Sequence, residues 1–334
     1  MTAHQATPVE AGAPQARRTP LLVALDLVRG AMIGTAETVP GVSGGTVALM
    51  TGVYETLLTS AGHLIAGLRH AVTDGLRGRG LAEARAQLAR VSWGVVLPIG
   101  VGMVIALLSM AHVMEGLLED HPETMRGLFL GLVLASLAVP FRHSRRVAPR
   151  SPVVPWTWRE WLLAAASAVA VAIVVSLPAG DLSPEWYVLI PAGALAVSAL
   201  VLPGLSGSFL LLTMGLYEPT IAALNDRDLG YLALFATGLA IGLVTIVKLL
   251  QWLLEHHRRL TLVVLTGIMA GSLVALWPWQ DADGARIAPT DPIVGPLLAA
   301  LAGAAVVVGI LVAEHRLLAR RTADVAETAE TPGA

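Results

Sequence analysis

Three ionisable residues, Asp26, Arg29 and Glu37, interrupt an otherwise apolar stretch, and Pro40-Gly41-Val42-Ser43-Gly44-Gly45-Thr46 follows them. On a helix, the spacing of Asp26, Gly30, Ile33 and Glu37 brings these side chains back to one face. Ionisable groups in an apolar segment are costly, so they are expected to face a cavity or each other. Asp26 and Arg29 are three apart and can pair along the helix. Glu37 stands beside the Pro-Gly break with no neighbouring cation in sequence. After the break, Ser43-Gly44-Gly45-Thr46 is expected to open a helix. Its N–H groups, hydroxyls and positive dipole end suit a phosphate. Glycine admits close backbone approach, and the Arg29 guanidinium offers a fork for phosphate oxygens. A serine that only caps the helix at position 43 fits the same pattern and does not compete. Glu37 and Asp26 are the candidates for proton coupling.

A second copy of the motif lies downstream. Pro203-Gly204-Leu205-Ser206-Gly207-Ser208 matches Pro40 to Gly45, and Gly215-Leu216-Tyr217-Glu218 follows it as Gly52-Val53-Tyr54-Glu55 follows the first. Gly193-Ala194 aligns with Gly30-Ala31 upstream. At a second offset, Leu253-Leu254-Glu255 matches Leu117-Leu118-Glu119, and Gly271-Ser272-Leu273 matches Ala135-Ser136-Leu137. Ser206, Gly207 and Ser208 thus offer a second cradle, with Pro203 and Gly204 as its break. The ionisable partners are missing there: Leu189, Ala192 and Leu200 stand where Asp26, Arg29 and Glu37 stand in the first copy. Coupling chemistry is therefore expected on one side only.

Composition says what holds these motifs. Of 334 residues, 55% are hydrophobic and 14% charged, and the mean hydropathy is +0.70. A soluble domain carries roughly a quarter of charged residues, so the chain reads as an all-α polytopic membrane protein. It has no cysteine, which excludes disulfides, thiolate metal sites and cysteine nucleophiles. Its histidines show no metal-ligand spacing, so neither metal nor cofactor is expected.

Positively charged loops stay in the cytoplasm. The arginine-rich stretches are Arg17-Arg18, Arg69 to Arg90, Arg142 to Arg159, Arg258-Arg259 and Arg316 to Arg321. The connections between them, Glu115–Glu123, Asp181–Glu185, Asp226–Asp228 and Asp281–Asp291, are acidic or neutral apart from one arginine in each of the last two. Residues 1–18 then form a disordered cytoplasmic tail, and residues 314–334 a second cytoplasmic tail. Repeat 1 covers 19–178: a hairpin at 19–68, a basic cytoplasmic loop at 69–92 and single crossings at 93–114, 124–140 and 161–178. Repeat 2 covers 186–313: a hairpin at 186–225 and crossings at 231–254, 260–277 and 293–313. Each hairpin starts and ends on one side with its Pro-Gly break in the middle. Non-helical backbone at membrane depth must be buried in protein or line a wet cavity, which favours re-entrant pairs. Hydropathy alone does not separate these from full crossings. Three single crossings between the hairpins invert the second copy, as in secondary transporters built from inverted repeats with broken helices. A duplication kept for packing alone accounts for the glycines, but poorly for two retained breaks.

Other residues are weaker candidates. Tyr54, Glu55, Tyr217 and Glu218 fall about three helical turns beyond the breaks, and the interfacial anchor role is favoured over a gate. Lys248, the chain's only lysine, is placed opposite His112 by the repeat. Snorkelling to the headgroups is its favoured role. Leu81, Ala84 and Leu88 at helical spacing among arginines suit an interfacial helix on anionic lipid.

The segment from Arg29 to Glu55, with Gly34-x-x-Glu37-x-x-Pro40-Gly41-Val42-Ser43-Gly44-Gly45-Thr46 and Gly52-x-Tyr54-Glu55, resembles the bacterial polyprenyl-phosphate transporter family. The Pro203–Ser208 and Gly215–Glu218 copy strengthens the match. The resemblance implies return of undecaprenyl phosphate from the outer to the inner leaflet of the cytoplasmic membrane for cell-envelope synthesis. Its partners would be that lipid and the surrounding membrane lipids. An undecaprenyl-pyrophosphate phosphatase is the enzyme alternative, because its Glu-x-x-Pro-x-Ser-Ser-x-Gly-His motif looks like Glu37 through Gly45. Thr46 stands in the histidine's place, Val42 replaces the first serine, and no base in the sequence neighbours Ser43 to activate it. A transporter of small soluble anions would need the same cradles, and a membrane scaffold would need neither Glu37 nor Arg29.

Overall fold

The computed structural model describes residues 19–37, 43–78, 80–146, 152–177, 182–281, 285–291 and 293–330. The described residues are helical, without a strand beyond an isolated bridge between Gln280 and Arg286. The expected tail at 1–18, Pro40, Gly41 and the His112 side chain lie outside what is described.

The first half runs α1 (Pro20–Glu37), α2 (Gly44–Met50), α3 (Tyr54–Leu76), α4 (Ala82–Ala89), α5 (Trp93–Asp120), α6 (Pro122–Ser136), α7 (Ala138–Ser144) and α8 (Trp158–Val174). The second runs α9 (Trp186–Val201), α10 (Gly207–Thr213), α11 (Tyr217–Asn225), α12 (Leu229–His256), α13 (Arg258–Ser272) and α14 (Val294–Glu330). Four described stretches are long and apolar enough to cross a membrane: Trp93–Met110, Pro122–Ser144, Leu229–His256 and Val294–Val312. α1, with 18 residues, and α9, with 16, rise about 27 and 24 Å. Both are shorter than the ~30 Å hydrocarbon core.

Glycines decide which helices meet, because they let one backbone lie against another. A Cβ on Gly30 would strike the Ile99 carbonyl, and one on Gly102 the Leu27 carbonyl, so α1 and α5 lie in direct backbone contact. In the second half the same arrangement recurs between α9 and α12. There Gly193 faces the Phe235 carbonyl and Gly238 the Ile190 carbonyl, at the two offsets of the sequence repeat. The remaining helices exchange partners. Gly131 of α6 lies on Ala300 of α14, and Gly267 of α13 lies on Ala164 of α8. Thus α6 of the first half packs on the last helix of the second, and α13 of the second on the last helix of the first.

Both helices interrupted beyond the breaks end at matching serines. Ser136 donates to the Val133 carbonyl and Ser272 to the Met269 carbonyl, each at 2.8 Å. Four residues after Ser136 comes Pro140, which has no N–H to bond back to it, and α6 gives way to α7 at Leu137. α13 ends earlier than the expected 277 because the chain after Ser272 leaves the helix.

Two other boundaries differ from expectation. α3 continues eight residues past 68, to Leu76, and packs on α4, where Ala84 is buried and Leu88 meets Gly67. α14 runs on to Glu330 through residues expected to form a tail. Its extension is rich in Ala, Leu, Arg and Glu and meets no helix breaker before Pro332.

The arginine-rich ends of α8 and α13 are clamped together. Thr157 and Glu160 form a capping box at the start of α8, and Glu160 also accepts two hydrogen bonds from Arg259. Bonding to the Arg259 guanidinium, then to Thr157, holds the Glu160 carboxyl at about 2 against the burial that opposes it. A carboxyl held below its ordinary value stabilises the fold above the unfolded pKa and loses that contribution as pH falls through the folded one. Thermal stability in detergent is therefore expected to fall between about pH 4.5 and about pH 2. Glu160→Gln should be less stable at neutral pH and should flatten that part of the profile; an unchanged acid limb would assign the loss to other groups.

Candidate functional site

The chain just after the first break meets the second. α2 begins after the first and lies against the end of α9, where the second begins. A helix end leaves carbonyls without intrahelical partners, and α9 ends inside the protein. Side chains of the first half satisfy it. The Tyr54 hydroxyl donates to the Val201 carbonyl at 3.1 Å, and Ser43 Oγ to the Leu202 carbonyl at 3.2 Å. Thr46 Oγ1 accepts from the Gly204 N–H at 2.8 Å. Gly45 completes the junction: a Cβ there would press on the Val201 and Leu200 carbonyls.

Glu37 closes the first break. Its carboxylate accepts from the Gly44 N–H at 2.7 Å, bonding a backbone donor at the start of α2. Ser43 has the extended dihedrals of an N-cap but makes no side-chain cap bond; its hydroxyl is turned to α9. Ser43 as the capping side chain is thus corrected: Glu37 takes that place, and Ser43 joins the two halves. Pro203 is fully buried, and Gly204 takes φ +90° against the α13 backbone, where a Cβ would lie 2.7 Å from Met269 Cα. Ser206, also buried, is 3.0 Å from Ser208 across their hydroxyls. Gly207 lies on the Ala196 carbonyl of α9.

Asp26 and Arg29 pair at 2.9 Å on α1, with Asp26 buried at 1% exposure and Arg29 at 26%. Ile33 and Gly34 continue the same buried face toward Glu37. Asp26, Arg29 and Glu37 thus lie along the side of α1 that leads to the junction.

The secondary candidates separate. Tyr54 is buried at 5% exposure, so its favoured role as an interfacial anchor is corrected. A buried phenol needs a partner for its hydroxyl, and the α9 carbonyl provides one. Tyr217, its counterpart, is 37% exposed. Glu55 pairs with Arg258 at 2.7 Å on the surface. Glu218 and Lys248 are exposed. Sequence reasoning missed Met269, which walls the second break, and Gln251, whose side chain donates to the Leu58 carbonyl at 3.0 Å and covers Gly62. The repeated Ser136 and Ser272 were the signal that the helix bearing Met269 is interrupted nearby.

The model of a family described as undecaprenyl phosphate translocase-like matches residues 33–291. A polyprenyl-phosphate transporter of Vibrio cholerae serotype O1 is 34% identical over 260 residues, covering 78% of this chain and 79% of the relative. A polyprenyl-phosphate transporter of Staphylococcus aureus is 27% identical over 273 residues, covering 76% and 86%. No solved structure matches.

Proposed function

This chain belongs to the undecaprenyl phosphate translocase-like family, and from that premise we propose that it returns undecaprenyl phosphate from the outer to the inner leaflet of the cytoplasmic membrane for reuse in envelope synthesis. The curated relatives are transporters, and the apolar helices suit a membrane protein. The lipid's phosphate cannot cross hydrocarbon unaided, because an unpaired charge is far more expensive there than in water. The observation that carries the mechanism is the bonded junction of the two breaks through Thr46 and Gly204.

In this reading the halves are inverted repeats, with N- and C-termini in the cytoplasm. The recurrence of the α1–α5 contacts between α9 and α12, and the exchanged α6–α14 and α8–α13 contacts, support the repeat. Both hairpins are re-entrant. Glu55 pairs with Arg258 in an arginine-rich surface region, and only α2 and its short turn separate it from the break, about 15 Å of chain. That supports a break near mid-membrane.

The phosphate is received by Arg29 with Ser43, Gly44, Gly45 and Thr46, and is passed to Ser206, Gly207 and Ser208 as the junction loosens. The prenyl chain stays in lipid throughout. The Glu37 carboxylate already holds the Gly44 N–H that an anion would take, so carboxylate and phosphate compete. A proton on Glu37 weakens its claim and couples proton entry to phosphate docking, with Asp26 as a further proton carrier. Glu37→Gln is expected to abolish the proton dependence of transport while sparing lipid binding; unchanged proton dependence would remove Glu37 from the mechanism.

The decisive experiment is leaflet-resolved accessibility of undecaprenyl phosphate in cells with and without the protein, with redundant carriers deleted. Depletion should raise surface-exposed lipid phosphate, and restoring the protein should lower it. No change on depletion would overturn the assignment.

A further inference from the structure

Between α8, α6 and the chain that follows α13, at the end of the bundle away from the arginine-rich loops, lies an open groove of about 800 Å³. Leu130, Val169, Ile173, Leu273 and Trp277 give it apolar walls, and its rim carries one cation, Arg286. Resting on the proposed transport function, we infer that this groove receives the head-proximal prenyl chain of polyprenyl phosphate before transfer, with the terminal phosphate on Arg286.

The rim is built to hold that cation. Arg286 Nη1 donates to Ser176 Oγ at 2.9 Å, and no carboxylate among the described residues pairs with it. A guanidinium has five donors, so others remain for an anion. The loop that carries Arg286 is pinned: Trp277 Nε1 donates to the Ile287 carbonyl at 3.0 Å, and the Ile287 N–H to the Trp279 carbonyl at 3.0 Å. The Asp281 carboxylate accepts the Ala285 N–H at 2.7 Å within that loop. In a chain whose arginines gather at the opposite end, an arginine in an acidic connection runs against the charge distribution that orients the protein. A phosphate ligand accounts for it.

The dimensions agree. From Ser176 down to Val169 the α8 wall descends about 10 Å, which stays within one leaflet of a ~30 Å core. An apolar cleft of that depth, ending on a single guanidinium, complements one hydrocarbon chain with one terminal phosphate. A glycerophospholipid brings two chains and a larger head.

The test uses the full-length protein in phosphatidylethanolamine–phosphatidylglycerol vesicles with a diazirine-bearing polyprenyl phosphate, and cross-links are located by mass spectrometry. Labels are expected on Val169, Ile173, Leu273 and Trp277. Untagged polyprenyl phosphate should remove them; added phosphatidylglycerol or inorganic phosphate should not. Arg286→Gln should weaken labelling about tenfold, the loss of one charge-assisted contact. Ala172→Trp, which fills the groove and leaves the Arg286 residue itself unchanged, should also abolish it. Labels outside the groove, equal competition by phosphatidylglycerol, or full labelling in both variants would overturn the inference. Transport measured in the same vesicles keeps the two readings apart. A wild-type protein that transports but is labelled elsewhere sinks only the groove, and one that does not transport sinks the function and the groove with it.

Discussion

Replacing Arg29 with glutamine is expected to damage both stability and transport, and a second substitution should separate the two. Asp26 is buried and Arg29 is its charged partner at 2.9 Å. Removing a charged partner from a buried carboxylate weakens the fold, by about 3 kcal/mol in a typical buried pair. Neutralising both in the double variant Asp26→Asn, Arg29→Gln removes that penalty, so thermal stability in detergent should largely return. Transport should not return. If the guanidinium grips phosphate, its charge-assisted hydrogen bonds contribute about 1.5–3 kcal/mol, and the stable double variant should transport about 10- to 100-fold more slowly. Arg29→Lys keeps the charge but not the planar fork and should fall between. A double variant that transports at the wild-type rate would leave Arg29 as a structural counter-ion of Asp26, with the phosphate held elsewhere.

Gly204→Ala is the second substitution with a large expected effect. Two independent costs meet at this residue. Its φ of +90° is a conformation that L side chains rarely adopt, and forcing one there costs about 1–2 kcal/mol. The new Cβ would also lie 2.7 Å from Met269 Cα, a backbone atom that moves only if α13 moves. Overpacking of this kind adds about 1–3 kcal/mol. Because the Gly204 N–H is bonded to Thr46, displacing it also opens the junction, so transport should fall with stability. Gly78→Ala serves as the control: φ is +66° there, yet nothing lies within 4 Å of the added carbon. It should show the backbone cost alone and transport normally. Equal losses at the two glycines would mean that α13 does not wall the break.

Local pattern carried much of this architecture. Low charge with long apolar runs pointed to a helical membrane protein, and the motif pair marked the break after α9 at Gly204 and the one-sided set of Asp26, Arg29 and Glu37. The spacing of Asp26, Gly30 and Ile33 placed them on the face that is buried. These features depend on helix period and composition, which neighbouring residues alone determine. The matching Gly30 and Gly193 were visible too, although not which backbone each would meet.

Tertiary structure decided how the polar groups are used. Nothing near Ser43, Thr46 or Tyr54 in sequence says that their oxygens bond to Val201, Leu202 and Gly204. Those partners exist only because α9 ends inside the bundle and leaves backbone groups that must be satisfied by whatever lies beside them. The Glu160–Arg259 clamp and the exchange of α8 and α14 between halves have the same origin. Sequence fixes where a helix breaks, because the cause is local; which side chain heals the break is set by the packing that brings distant helices within hydrogen-bond reach.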